Sequence, residues 1–290
     1  MPELPEIEIT ARRLQSALDR AEVESAVAAG VATLKTFEPS LEDLAGMRIA
    51  EVARRGKMLE VIFTGPKGAP PPRRLSLLVH LMSAGRLQVF DKRASLKDRR
   101  SRILIRIAGG RELRLREFGT RQSAWAKLLD AAEVGNDEMV ATLGPDAWPP
   151  PPLEEFARVI DQPRHLHPLL RDQRTIAGIG RTWVDEILWR ACLSPFKKGS
   201  ELDEGEVGRL HDALPLLGNV IKHYESAIGE TVPDKLPMPL QVHRREGEPC
   251  PRCGTTIEAV FFSEHQTNYC PKEQTGGRVL KDRRLSRLLK

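Results

Sequence analysis

The chain of 290 residues carries 45 Lys and Arg against 40 Asp and Glu, a net charge of +5, with 40% hydrophobic residues and a mean hydropathy of −0.36. That composition describes a soluble globular protein long enough for two domains, and it excludes a membrane-spanning helix, since no stretch approaches the roughly 20 apolar residues that cross a bilayer. The opening MPELPEIEIT has neither the basic nor the apolar region of a signal peptide, so the chain is expected in the cytoplasm with its four cysteines reduced. A pI near 9.1 permits a nucleic-acid partner.

Ile7, Ala11, Leu14 and Leu18 recur at helical spacing and predict an amphipathic helix over residues 4–20, with Pro2 at its start. A small second residue favours removal of Met1, which would leave a secondary amine at Pro2 beside the carboxylate of Glu3. An α-amine has a reference pKa of about 8, far below that of lysine, so part of it is neutral and nucleophilic at cellular pH. Attack on an aldehydic sugar carbon would give a cationic iminium, an electron sink that favours elimination at the neighbouring phosphate. Glu3 is placed to donate or shuttle the protons.

Short apolar or alternating runs follow at Met47–Val52, Met58–Phe63, Leu75–Leu81, Arg86–Phe90 and Ile103–Ile107, separated by Gly and Pro. This is the rhythm of a β-sandwich with a helix laid against it, and Gly68–Pro72 reads as a loop insertion. In RRGKMLEV, Arg54–Val61, a turn at Gly56 and Lys57 puts Lys57 at a loop tip. Such a lysine is by default a solvated charge, and otherwise grips a phosphate or sugar oxygen. Basic residues crowd Lys92–Arg116 and the tail Arg278–Lys290; a solvated face and a nucleic-acid footprint both fit them.

The proline tract Trp148–Pro152 marks a boundary, because it cannot continue a helix or a central strand. Beyond it, Leu153–Ile160, Val184–Cys192 and Val207–Ile228 show helical periodicity. Gly178 and Gly180 flank a turn at a helix start, where backbone N–H groups can meet a phosphate or simply make a tight turn. Cys192 reads as a core residue on an apolar helix face. Cys250-Pro-Arg-Cys253, 16 residues, then Cys270-Pro-Lys-Glu273 would be a four-cysteine zinc site but for Glu273. A three-thiolate, one-carboxylate site and a degenerate finger held by packing both fit, and His265 is an alternative ligand. The expected divisions are a catalytic β-sandwich over 1–143, a linker over 144–152, a helical domain over 153–241 and a hairpin with a basic tail over 242–290.

PELPEIE, RRGKML, HLMSAGRL, REFGT, LGPDA, LLRDQRTIAGIG, and CPRCG followed by YCPKEQTGG, in this order across nearly the whole chain, resemble the signatures of the formamidopyrimidine-DNA glycosylase and endonuclease VIII family of base-excision repair enzymes. The resemblance implies an α+β fold: an N-terminal β-sandwich with a leading helix, a helix-two-turn-helix domain and a C-terminal zinc-finger-like hairpin. It also implies a monomer that acts at the nucleoid on double-stranded DNA bearing a damaged base or abasic site. The implied activity is that of a bifunctional glycosylase and abasic-site lyase working by β,δ-elimination. In it Pro2 is the Schiff-base nucleophile, Glu3 the proton donor, Glu6 a supporting acid and Lys57 a phosphate and sugar contact. Met82, Arg116 and Phe118 would lie near loops that enter the duplex and fill the gap left by an everted nucleotide. Gly178, Gly180 and Arg181 would meet the lesion's phosphates, and Cys250, Cys253, Cys270 and Glu273 would hold a structural zinc.

Several positions depart from the family's pattern. HLMSAGRL stands for the usual HLGMSG, which shifts Met82 and puts Ser83 in the methionine's place. Glu117 replaces the second arginine of RRFG, putting an acid where a DNA-facing base is expected. Arg181 replaces an asparagine, His167 a lysine, Glu273 the fourth cysteine, and His265 the minor-groove arginine. These changes motivate a second reading, a paralogue that binds abasic or distorted DNA without excising bases.

Overall fold

The structure is a computed structural model that describes residues 1–29, 32–65, 73–95, 97–119, 123–262 and 265–280. Gly68–Pro72, residues 281–290 of the basic tail and the side chain of His265 lie outside the described residues. The chain forms two compact units, one of Met1–Thr142 with His223–Pro237, the other of Leu143–Lys222 with Met238–Lys290.

The first unit opens with helix α1, Leu4–Leu18. Pro5 sits in its first turn, where a missing N–H costs nothing. Its apolar stripe, Leu4, Ile7, Ala11, Leu14 and Leu18, is buried as the periodicity predicts. Eight strands follow: β1 Val23–Ala28, β2 Arg48–Arg55, β3 Met58–Thr64, β4 Arg74–His80, β5 Gly85–Phe90, β6 Ser101–Ile107, β7 Glu112–Glu117 and β8 Trp125–Asp130. They form two antiparallel four-stranded sheets, in the orders β1-β6-β7-β5 and β2-β3-β4-β8. Ile103, Leu113 and Leu87 of one sheet share a core with Val61, Leu77 and Leu128 of the other, closed by Ile7, Leu14 and Leu18 of α1. A short helix α2, Glu138–Ala141, ends this part of the chain.

The second unit contains α3 Leu153–Ile160, α4 Leu166–Arg171, α5 Arg181–Arg190 and α6 Glu204–Ala213, and the start of α7 Leu216–Ala227. The single helix expected over Val207–Ile228 is thus two. Pro215 stands between them, with no N–H to give and a ring that clashes with the preceding turn. Strands β9 Glu258–Phe262 and β10 His265–Tyr269 pair antiparallel, and α8 Pro271–Thr275 follows. Among the described residues no helix is long and apolar enough to cross a membrane.

A Cβ built on Gly218, in α7, would meet the Trp148 ring at 2.2 Å, so the indole of the proline tract lies directly on the helix backbone. Alanine has the higher helix propensity, yet Gly218→Ala is expected to lower stability by about 1–3 kcal/mol through overpacking. Denaturant unfolding checks this; an unchanged or raised midpoint would mean that Trp148 moves aside without penalty.

Candidate active site

At the start of α1 the carboxylates of Glu3 and Glu6 are buried, at 1% and 3% exposure, beneath a half-buried Pro2. Buried carboxylates need donors. Glu6 Oε2 accepts the N–H of Glu3 at 2.8 Å, and Glu6 Oε1 accepts the hydroxyl of Tyr224 at 2.7 Å. Tyr224 is fully buried, and burial together with the Glu6 charge pushes its pKa far above the ordinary phenol value, so it remains a donor. The sequence reading missed this residue. Its signal was slight: one of two tyrosines in the chain, on an apolar helix face where a buried hydroxyl must find a partner.

Lys57 follows Gly56, whose φ of +55° makes the tight β2–β3 turn. The lysine is not the solvated tip expected: it is buried, at 7% exposure. Beside it, burial and then the Lys57 charge push the His80 pKa down to about 4. His80 Nδ1 accepts the N–H of Met82 at 3.0 Å, so the neutral ring carries its proton on Nε2, and the ring stacks on Trp125 at 5.5 Å. Met82 is half-buried at a φ of +48°, while Ser83 is exposed.

Arg116 lies 4.7 Å from the ring of Phe118 and 5.2 Å from that of Phe90, with Asp234 3.7 Å away. Phe118 is exposed and also flanked by Arg100 at 5.3 Å. Glu117, expected on a DNA-facing surface, points inward because strand alternation turns it to the face opposite its neighbours. It accepts the N–H groups of Ser123 at 2.5 Å and Ala124 at 2.8 Å, which pins the base of the loop carrying Phe118. Much of the basic cluster is also internally balanced: Arg93 pairs with Glu24, Arg106 and Arg114 with Glu112, and Arg102 with Glu117. The segment after α7 is held to β5, where Gln88 Nε2 donates to Val232 O at 2.9 Å and Arg86 Nε to Asp234 O at 2.8 Å.

In the second unit Gly178, at a φ of +100°, and Gly180, the N-cap of α5, are both buried, and Arg181 begins the helix exposed. Gln173 braces the turn by accepting from Gly178 N–H at 2.9 Å and donating to Ile179 O at 3.0 Å. His167 turns inward, its Nε2 hydrogen-bonded to the Thr267 hydroxyl at 3.2 Å and 3.3 Å from Asp185, which takes His243 Nδ1 at 2.7 Å and Asn268 N–H at 3.1 Å. The adjacent Glu186 accepts backbone N–H groups of Gln241, Val242 and His243.

The sulfurs of Cys250, Cys253 and Cys270 lie within 4.8 Å of one another, with Cys253 and Cys270 at 3.5 Å. Tetrahedral zinc with Zn–S bonds of about 2.3 Å requires sulfurs about 3.8 Å apart, so these three residues fit the ion. Burial, then the neighbouring thiols, pushes Cys270 up to about 12, and a cation is what would let all three ionise together. Glu273 lies outside that group, its Oε2 held by Arg252 Nη1 at 3.0 Å. Cys192 is not a core residue: half-buried just past α5, it receives the same Arg252 nitrogen at 3.0 Å.

Residues 1–121 match the family model described as formamidopyrimidine-DNA glycosylase N-terminal domain, residues 143–229 that of the same enzymes' H2TH domain, and residues 247–272 a zinc finger found in FPG and IleRS. A formamidopyrimidine-DNA glycosylase of Herpetosiphon aurantiacus is 32% identical over 289 residues, covering 93% of this chain and 98% of its own. The chain belongs to the formamidopyrimidine-DNA glycosylase family. The family's enzyme from a Roseiflexus species is likewise 32% identical, over 94% of this chain and all of its own length. Among solved structures, Lactococcus lactis Fpg in complex with DNA containing N7-benzyl-Fapy-dG superposes with a TM-score of 0.82 at 26% identity, covering 94% of this chain and 100% of that one. Its complex with abasic-site DNA gives 0.80 at the same identity, covering 94% and 99%. Sandwich, helical domain and finger are therefore the family's fold.

The depressed pKa of His80 means that the folded chain binds fewer protons than the unfolded one between about pH 6.5 and 4. The stability tied to the neutral ring is fully present above about pH 6.5 and is lost as pH falls towards 4. Unfolding titrations at pH 7 and 5 should show His80→Asn losing less stability over that interval than the native chain; equal losses would refute the assignment.

Proposed function

We propose that this chain is a base-excision DNA glycosylase that removes oxidised bases and then cleaves the abasic strand through a Schiff base on Pro2. The observation that carries this reading is the doubly held Glu6 at the N-terminus of α1. Glu6 Oε2 is 2.8 Å from the Glu3 nitrogen, and only the Cα and carbonyl carbon of Pro2 separate that nitrogen from the Pro2 nitrogen, so carboxylate and amine lie within roughly 6 Å. A buried acid beside a half-buried secondary amine, with a buried lysine in the same unit, suits a nucleophile with an attendant proton carrier and a cationic contact for phosphate or sugar. A binding module has no use for that set.

The reaction begins once Met1 is removed and the Pro2 amine is free. The damaged nucleotide must leave the stack, because its sugar carbon is inaccessible within the duplex. Phe118, exposed between the guanidinium groups of Arg100 and Arg116, has the form of an apolar wedge with cationic shoulders for the vacated space; Met82 lies on the companion loop. The Pro2 nitrogen attacks the anomeric carbon, the glycosidic bond breaks and the base leaves as its protonated form. Glu3 donates a proton to the ring oxygen as the sugar opens to the iminium, and Lys57 steadies the phosphate. The iminium acidifies the C2′ hydrogen, whose loss expels the 3′-phosphate, and loss of the C4′ proton then expels the 5′-phosphate. Arg181, exposed at the start of α5, meets the strand's phosphates with its guanidinium, while the buried Gly178 and Gly180, the former with its N–H already given to Gln173, shape the turn that presents it. Cys250, Cys253 and Cys270 hold a structural zinc, which supplies folding energy to the hairpin.

Borohydride should trap a covalent complex between Met1-processed protein and abasic DNA, with the adduct mapped to Pro2 by mass spectrometry. Processed protein that binds such DNA but yields no adduct would be the non-excising paralogue instead. Tyr224→Phe keeps the buried ring and removes the donor to Glu6. It is expected to slow single-turnover trapping about tenfold, the effect of roughly 1.4 kcal/mol, with little change in DNA affinity. In a Glu6→Gln background the same substitution should add nothing; independent, additive losses would show that Tyr224 does not act through Glu6.

A further inference from the structure

Tetrahedral zinc on three thiolates needs a fourth donor. Glu273 stands where the cysteine spacing would place it and its carboxylate meets the Cys253 thiol, but it is also neutralised by the guanidinium of Arg252 at 3.0 Å, which a metal would have to displace. The chain's remaining cysteine, Cys192, comes to the same place from outside the hairpin. Its Sγ lies 3.8 Å from the Glu273 oxygen and 3.0 Å from the Arg252 nitrogen that holds it. Trp189, one turn earlier, packs against the apolar cluster that holds Cys250 and Cys270 and contacts the Cys250 thiol, so the end of α5 borders the three-sulfur group.

The position of Cys192 is itself unusual. It follows the helix at a φ of +55°, where glycine is the common residue because a Cβ is disfavoured in that conformation. Its side chain is half-buried. A thiol thus occupies a position that suits glycine, and a carboxylate occupies one that suits a thiol, within 3.8 Å of each other.

We propose that Cys192 supplies the fourth thiolate of a zinc site completed by Cys250, Cys253 and Cys270. Like Glu273, Cys192 lies outside the three-sulfur group here, and zinc held by the three sulfurs would draw its Sγ in from its place beside Glu273 and Arg252. Zinc binding displaces the thiol proton of Cys192 to solvent. The Zn²⁺ tetrathiolate then carries two net negative charges, and Arg252, stacked 4.2 Å over Trp189, stands where it can donate a charge-assisted hydrogen bond to the Cys192 sulfur. The ligand set would therefore bridge α5 and the hairpin, both in the second unit.

The test uses full-length protein loaded with cobalt(II), whose sulfur-to-metal charge-transfer intensity reports the number of bound thiolates. Cys192→Gly suits the local backbone and keeps folding out of question. The native chain should give a four-thiolate spectrum. Cys192→Gly should lose one thiolate's share and weaken zinc at least about tenfold in chelator competition, and Glu273→Gln should leave both unchanged. With zinc bound, all four cysteines should resist alkylation. An unchanged spectrum in Cys192→Gly, loss of charge-transfer features only in Glu273→Gln, or ready alkylation of Cys192 while the other three are protected would each overturn the assignment.

Discussion

An ionised carboxylate can stay inside a protein only if the chain brings donors to it, and at Glu6 two stretches remote in sequence do so. The Glu3 N–H comes from the helix start and the Tyr224 hydroxyl from the end of α7. Meeting both demands fixes Glu3 as the N-cap of α1, and with it the position of Pro2. It also explains why His223–Pro237 belongs with the sandwich although it follows the helical unit in sequence. The same segment is secured nearby, since Arg12 pairs with Glu225 at 2.6 Å and Arg13 donates to Glu225 O at 3.0 Å. The proposed nucleophile is therefore placed by a network that joins the first residues of the chain to the stretch around Tyr224, 218 residues beyond Glu6.

The second unit solves a similar problem with adjacent acids. Asp185 and Glu186 are both buried on α5; one is met by His243 and the N–H of Asn268, the other by three successive backbone N–H groups. Burial still raises the pKa of Glu186, against the pull of those hydrogen bonds. The pair fastens the stretch that enters the hairpin, through contacts that involve no metal ligand. Retention of the hairpin's place in a chain whose fourth cysteine is missing from its usual position follows naturally from that anchorage.

Much of the fold was legible in the sequence because hydrophobic periodicity reports burial directly. The stripe of α1, the strands β2 to β6 and the helix α3 all carry it. β7 did not, since ELRLRE reads as a polar run although Glu112, Arg114 and Glu117 are buried; their charges are matched by partners elsewhere, which no local pattern shows. Lys57 and Glu117 were misplaced for the same reason, a charge being read as a surface residue until its partners are known. The division of the long helix at Pro215 was available from proline chemistry alone. The Tyr224 contact to Glu6, spanning 218 residues of sequence, and the meeting of Cys192 with Glu273 were not, because both depend on the tertiary fold.

The balanced arginines of β6, β7 and the segment after β5 have a consequence for electrostatics at longer range. A polyanion gains affinity by shedding condensed counterions to each cation that replaces them. Arg93, Arg102, Arg106 and Arg114 already face Glu24, Glu117 or Glu112, so three carboxylates offset most of their four charges and reduce what they contribute to that release. A charge count over Lys92–Arg116 would therefore predict a steeper dependence on ionic strength than this stretch can produce. Those four arginines act as the polar framework of a sheet, and leave the landing strip for a charged strand to their neighbours Arg100 and Arg116.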